Sequence, residues 1–487
     1  MKATVTPKRS YSAPRYPTIH EIGAPDFARV PTRWRGIRAL ASTLGAAAMS
    51  LKSLALDAAG AIPTVTAETG THEIAAPLAL IARAVSVDTC DGATVAFTGN
   101  MTGTNAALRV NRGRLSGGGT VTLDGTTNGI EKLSVGCGRT VVRDLSFATR
   151  ADALRLGGGT LRYEGPDVCL PGLVLQGGNG HAGVLDVPVG RAVSIRSMVA
   201  NATAFIKVGG GDLKLAGRGT FALGAVVSNR TNQANTYIRA NGDAPISTFR
   251  KCNVSQGRIV QGTVGDPSDA PVVTCSDFCV GVDSVEGEDC EYVMNNGVLN
   301  ASSFYVGYYH GVTRPCRGLF TLNGGAVTSS WVRLGQTGSG PMYARPTVVV
   351  NGGRWRVTGP FTLGYQKASP GATDCSVTVN GGELDIGGTL LLGRAGANTG
   401  TVHLCGGVLR AENIVRSNGT ARVYFDGGTY APYGAAAANH TLSGLTAAYI
   451  GAGGATIDLS RAGGAYTVAQ PFLHDPELAG TDGGLRV

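Results

Sequence analysis

Met294-Asn295-Asn296-Gly297, Leu322-Asn323-Gly324-Gly325, Val350-Asn351-Gly352-Gly353, Val379-Asn380-Gly381-Gly382, Leu404-Cys405-Gly406-Gly407 and Phe425-Asp426-Gly427-Gly428 are one phrase written six times. The third residue of the tetrad advances by 28, 28, 29, 25 and 21 positions. A second marker keeps step with it. Val306-Gly307, Leu334-Gly335, Leu363-Gly364 and Leu392-Gly393 advance by 28, 29 and 29. A unit recurring every 20–30 residues or so belongs to a solenoid or a propeller-like array.

Inside one unit the period is two. In Ser376-Val-Thr-Val-Asn-Gly-Gly-Glu-Leu-Asp-Ile-Gly-Gly-Thr-Leu-Leu-Leu-Gly, Val377 and Val379 flank Thr378, Leu384 and Ile386 flank Asp385, and Leu390 and Leu392 flank Leu391. Each short run is ended by glycine. Alternation of this kind reads as strands, whereas a helix needs a period near 3.6 sustained over about ten residues. Asn-Gly and Gly-Gly supply the positive φ a tight corner requires. Three short strands and their corners make one coil, and stacked coils pair each strand with its equivalents about 4.8 Å above and below. A propeller blade needs about 40–45 residues, too many for this spacing. The expected fold is therefore all-β, a right-handed parallel β-helix with three short strands per coil; the hand follows from the general chirality of parallel crossings. Looser copies at Leu154-Arg-Leu-Gly-Gly-Gly and Ile206-Lys-Val-Gly-Gly-Gly extend it over residues 62–487.

Composition agrees. Glycine is 74 of 487 residues, about twice the usual share of about 7%, as frequent corners demand. Hydrophobic residues make up 43% and alternate, which argues against disorder. The net charge is +9, but residues 1–40 hold eight basic and two acidic side chains, leaving +3 for the rest. A basic nucleic-acid face over the repeats is not expected on that count. Residues 1–32, rich in Pro, Arg and Tyr, read as a flexible basic tail. Residues 33–61 place Arg33, Arg35 and Arg38 before a weakly apolar run at 39–51 and then Ala59-Gly60-Ala61. That order suits a signal segment, and it equally suits a helix capping the open end of a solenoid. No run of 18 apolar residues exists, so no transmembrane helix is expected.

Ten cysteines lie at 90, 137, 169, 252, 275, 279, 290, 316, 375 and 405, with no Cys-x-x-Cys pair and no zinc spacing. They read as small structural or loop residues, with disulfides among Cys252, Cys275, Cys279 and Cys290 as the alternative in an oxidising compartment. Enzymes on this scaffold cluster carboxylates on adjacent coils to activate water or hold calcium. The Asp-Asp, Gly-His-Gly and Arg-x-Lys elements of polygalacturonase-like hydrolases are absent. His181 and His310 lack carboxylates nearby in sequence, and Asp385, Asp426 and Asp458 read as outward or corner residues. No catalytic residue, cofactor or metal is expected. Trp331, Trp355 and Tyr365 fall in the repeat block and are candidate sugar-contact aromatics, with corner filling as the structural alternative.

The repeats resemble those of the autotransporter-associated β-strand family, passenger-type units of bacterial surface and secreted proteins. The likeness rests on residues 348–364 and 377–393, each running from Val-x-Val-Asn-Gly-Gly to Leu-Gly. It rests also on Gly453-Gly-Ala-Thr-Ile-Asp458, Tyr466-Thr-Val-Ala-Gln-Pro-Phe472 and Asp482-Gly-Gly-Leu485. It implies a secreted or cell-surface structural protein, non-catalytic, in contact with surface glycans or proteins. The alternative is a polysaccharide-active lyase or hydrolase. Autotransporters carry a C-terminal membrane barrel. This sequence stops at Gly484-Leu-Arg-Val487, so the reading expects another export route, a fragment, or retention in the cell. The final coil offers Pro471 and few charges, so a weakly protected end is expected, one that either associates end-to-end with another chain or continues into a further coil.

Overall fold

From Thr64 on, the described strands pair in parallel with strands one repeat away. The computed structural model describes the strands Lys2–Val5, Arg38–Leu40 and Leu54–Leu56. It also describes residues 62–487 apart from short interruptions, the longest at 217–225, 310–316, 338–344 and 366–372. Among the described residues there is no helix. The molecule is a parallel β-solenoid built from two compact units, Met1–Arg191 and Ala192–Val487.

In the first unit, Thr64–Ala67, Ala84–Thr89, Ala106–Val110, Ile130–Val135, Leu154–Leu156 and Leu173–Gln176 lie side by side in one sheet. Leu108 sits over Val85 and under Leu133, and all three are buried. A second sheet starts at Thr71–Ile74, and Leu54–Leu56, Leu78–Leu80 and Met101–Gly103 form a short third one. Lys2–Val5 pairs antiparallel with both Arg38–Leu40 and Thr64–Ala67. The remainder of the basic tail and of the segment read as signal or cap lies outside the described residues.

The second unit carries the regular repeat. Phe320, Val348, Val377, Val402, Val423 and Ala448 stand in one register column, and all are buried. A second column runs through Val327, Trp355, Leu384, Leu409, Tyr430 and Ile457. These are the inward positions of the period-two pattern, stacked by parallel pairing into continuous apolar files.

The three-strand coil is explicit at Thr347–Val350, Arg354–Val357 and Phe361–Leu363. In the coil before, the second and third strands run together as the twelve-residue strand Ala326–Thr337, which pairs with both Arg354–Val357 and Phe361–Leu363. Thr358-Gly359-Pro360 explains the break, since proline lacks the N–H needed to continue the ladder. Where Gly387-Gly388 stands instead, Glu383–Leu392 continues, with a register shift between Ile386 and Thr389.

Candidate functional site

The corner glycines and asparagines come together in one file. Gly325, Gly353, Gly382 and Gly407 take φ of +83°, +71°, +69° and +63°. Gly352 meets a different demand. A Cβ there would lie 2.5 Å from the Asn323 carbonyl oxygen of the coil before, and Gly324, Gly381 and Gly406 are crowded in the same way. At Asp426-Gly427-Gly428 the phase shifts. Gly427 carries the positive φ, +103°, and Gly428 does not.

Beside those glycines runs a ladder of side-chain amides that periodicity alone does not announce. Asn323 Nδ2 donates to Asn295 Oδ1 at 2.8 Å, Asn351 Nδ2 to Asn323 Oδ1 at 2.9 Å, and Asn380 Nδ2 to Asn351 Oδ1 at 2.8 Å. All the donors point the same way. Cys405 occupies the next rung and offers no amide. Its thiol is held above the ordinary value by burial and by Asp426.

A second constellation lies on the outer face of the long strands Val298–Tyr309 and Ala326–Thr337. Register places Tyr305 against Arg333 and Ser303 against Trp331. Phe304, Val306, Val332 and Leu334 point inward and are fully buried, so the alternate positions face out. Tyr365 and Arg394 reach the same face from the residue following a positive-φ glycine, Gly364 at +72° and Gly393 at +60°. The Arg333 guanidinium carbon lies 4.2 Å from the Trp331 ring centroid and 4.0 Å from that of Tyr365. That of Arg394 lies 3.9 Å from the Tyr365 centroid. Tyr305 meets Trp331 edge-on at 4.9 Å and Tyr308 at 4.6 Å. Arg333 Nη1 also donates to Gln336 Oε1 at 3.0 Å. Burial, reinforced by Tyr308, Asp277 and Cys279, pushes the Tyr305 phenol up to about 12, so it stays protonated and able to donate.

Of the candidate aromatics, Trp331 and Tyr365 are thus joined across coils, and Trp355 is a correction. It is 0% exposed, packs against Phe304, Phe320 and Phe361, and donates Nε1–H to Ser329 Oγ at 3.0 Å. Alternation already separates the two tryptophans. Trp355 stands two residues before inward Val357, and Trp331 one before inward Val332. Cys252, Cys275, Cys279 and Cys290 are buried, in keeping with the structural reading; Cys252 and Cys275 are free thiols, and burial raises Cys252 to about 12. One further expectation changes. Asp385 is buried rather than solvated. His181, His310 and Cys316 lie outside the described residues.

Two acidic groups of the described surface, Glu383 with Asp385 and Glu164 with Asp186, are ion-paired. Arg410 Nε donates to Glu383 Oε1 at 2.7 Å and Arg354 Nη2 to Asp385 Oδ2 at 3.1 Å. Burial and Asp385 raise the Tyr433 phenol beside them. In the first unit, Arg143, Arg162, Glu164, Pro188 and Arg191 line an open depression. There Arg162 bonds Glu164 Oε1 at 2.7 Å and Asp186 Oδ2 at 2.9 Å. Among the described residues no three His, Cys, Asp or Glu side chains group to hold a metal ion. Among the same residues no helix is long and apolar enough to cross a membrane.

Compared with protein-family models, curated proteins and solved structures, the chain matches none. The class rests on fold and surface: a glycine-cornered parallel β-solenoid with an asparagine ladder and an outward strip of arginine and aromatic rings.

Proposed function

We propose that the chain is a non-catalytic structural solenoid of the cell surface or secreted space, of the autotransporter-associated passenger type, and that it contacts carbohydrate. One contrast carries the reading. Glu383, Asp385, Glu164 and Asp186 are each tied to guanidinium groups, which removes them as free acids and bases. The Tyr305–Trp331–Arg333–Tyr365–Arg394 strip, by contrast, lies on the outer face with no carboxylate salt-bridged to its arginines among the described residues, Arg394 exposed and the other four partly exposed. Fractionation of the source cell tests the location, and protein confined to the cytosol overturns it. Incubation with pectin, alginate and chondroitin in calcium tests the chemistry, with no new unsaturated or reducing ends expected. Release of such ends would replace this reading with the polysaccharide-active alternative. That alternative would centre on Glu383, Asp385 and Tyr433, and Glu383→Gln should then abolish the activity.

A further inference from the structure

We infer that the strip from Tyr305 to Arg394 is a binding site for an acidic polysaccharide, one carrying carboxylate or sulfate groups, laid along the stacking direction of the coils. This deepens the carbohydrate-contact reading and rests on it. The first support is charge. Residues 292–373 contain no Asp or Glu and seven Arg or Lys, namely Arg314, Arg317, Arg333, Arg345, Arg354, Arg356 and Lys367. The small net charge beyond residue 40 therefore hides a concentrated basic stretch, and the rest of the repeat region is slightly acidic. A stretch of 82 residues without a carboxylate removes local repulsion toward an anion.

The second support is the state of the two guanidiniums. Arg354 and Arg410 on the neighbouring coils are salt-bridged. Arg333 and Arg394 have no carboxylate partner among the described residues, and both are held against rings. A guanidinium stacked on an aromatic face is pre-oriented and directs its N–H edge away from the ring; Arg333 spends one Nη1–H on Gln336 Oε1 and keeps its other donors for a carboxylate or sulfate. The protonated Tyr305 phenol adds a donor beside them.

The third support is what the rings already carry. The Tyr365 ring carries two guanidinium carbons, at 4.0 and 3.9 Å from its centroid. Trp331 carries Arg333 over its ring and meets Tyr305 at 4.9 Å in a T-shaped pair. With guanidiniums stacked on Trp331 and Tyr365, these two rings have less open face to offer a neutral sugar or a nucleobase. Spacing points the same way. Arg333 and Arg394 stand two coils apart, roughly 10 Å at about 4.8 Å per coil, and one coil step is comparable with the length of one sugar unit. Each strand of duplex DNA presents a phosphate about every 3.4 Å, denser than these cations.

The test uses the full chain in affinity electrophoresis or calorimetry, with polygalacturonate, chondroitin sulfate, dextran, xylan and a single-stranded oligonucleotide as separate probes. Binding is expected to one or both acidic glycans, weakened by salt, with dextran and xylan negative. The first two probes distinguish carboxylate from sulfate as the anion. Arg333→Gln with Arg394→Gln should lower that affinity at least about tenfold, the loss expected for a charged hydrogen bond. Arg333→Lys should fall between, and circular dichroism should match wild type in each case. The basic tail is present in every variant, so equal binding by wild type and the double variant overturns the site. Binding of xylan or dextran alone overturns this inference and leaves the carbohydrate reading standing. Binding of no glycan at all overturns both. Tighter, Arg333-dependent binding of the oligonucleotide replaces the glycan with nucleic acid.

Discussion

Two tryptophans 24 positions apart do opposite work. Trp355 fills the interior beside Phe304, Phe320 and Phe361, and its indole N–H is satisfied by Ser329. Removing it leaves a cavity that the stacked neighbours cannot close. Trp355→Ala should therefore cost about 3–5 kcal/mol in denaturant titration, the range for large aromatic truncations. Trp331 lies on the outer face and is partly exposed, so Trp331→Ala should stay within about 1 kcal/mol, the value of a partly solvated cation–π pair. Equal losses from the two would mean the inward and outward assignments are wrong. Gly353 is the second case. Its φ of +71° and the Gly325 carbonyl 2.5 Å from the position of an added Cβ exclude a branched side chain. Gly353→Val should cost about 1–3 kcal/mol, as for other strained backbone positions, and Gly352→Val should add to it through the crowding described above. A melt unchanged by the double substitution would refute the corner geometry.

A corner column is an element of its own, because each coil repeats the same hydrogen bond. The ladder through Asn295, Asn323, Asn351 and Asn380 stops at Cys405, although the backbone there is equivalent. Cys405 N donates to Val379 O at 3.0 Å just as Asn380 N donates to Val350 O at 2.8 Å. Cys405→Asn should extend the ladder by donating Nδ2 to Asn380 Oδ1. The expected gain is about 0.5–1.5 kcal/mol, the net worth of one hydrogen bond, read as a higher melting temperature. An unchanged or lower one would show that the shorter 25-residue step moves the side chain out of line. The sequence carried the coil, its strands and its corners, because period two and glycine are local signals. It carried the ladder only as recurring Asn, since a bond between residues 28 apart has no local signature. The outer strip was half visible. Alternation picks Trp331 and Arg333, but Tyr365 and Arg394 reach the face only because a positive-φ glycine turns the chain just before each of them.

At the scale of the molecule, a solenoid adds coils until something stops pairing. Phe472–His474 is the last strand of its sheet and pairs with Ala447–Ile450 along one edge. The side chains around it are not those of a covered end. Leu473 and Leu485 are each 46% exposed, Val468 is 41% and Val487 76%. An edge strand with open N–H and C=O groups and apolar neighbours is a template for another strand. Pro471 removes one donor just before that strand, which blunts the edge without closing it. The occupant that fits best is a second copy, since its coils share the same 4.8 Å spacing or thereabouts. Light scattering should show concentration-dependent association of the full chain. Leu485→Lys with Val487→Lys should suppress it through like-charge repulsion across the new contact, and added salt should partly restore it. If the wild-type chain stays monomeric at high concentration, the exposed side chains of the last coil do not make an interface, and the edge is protected by its own twist and Pro471.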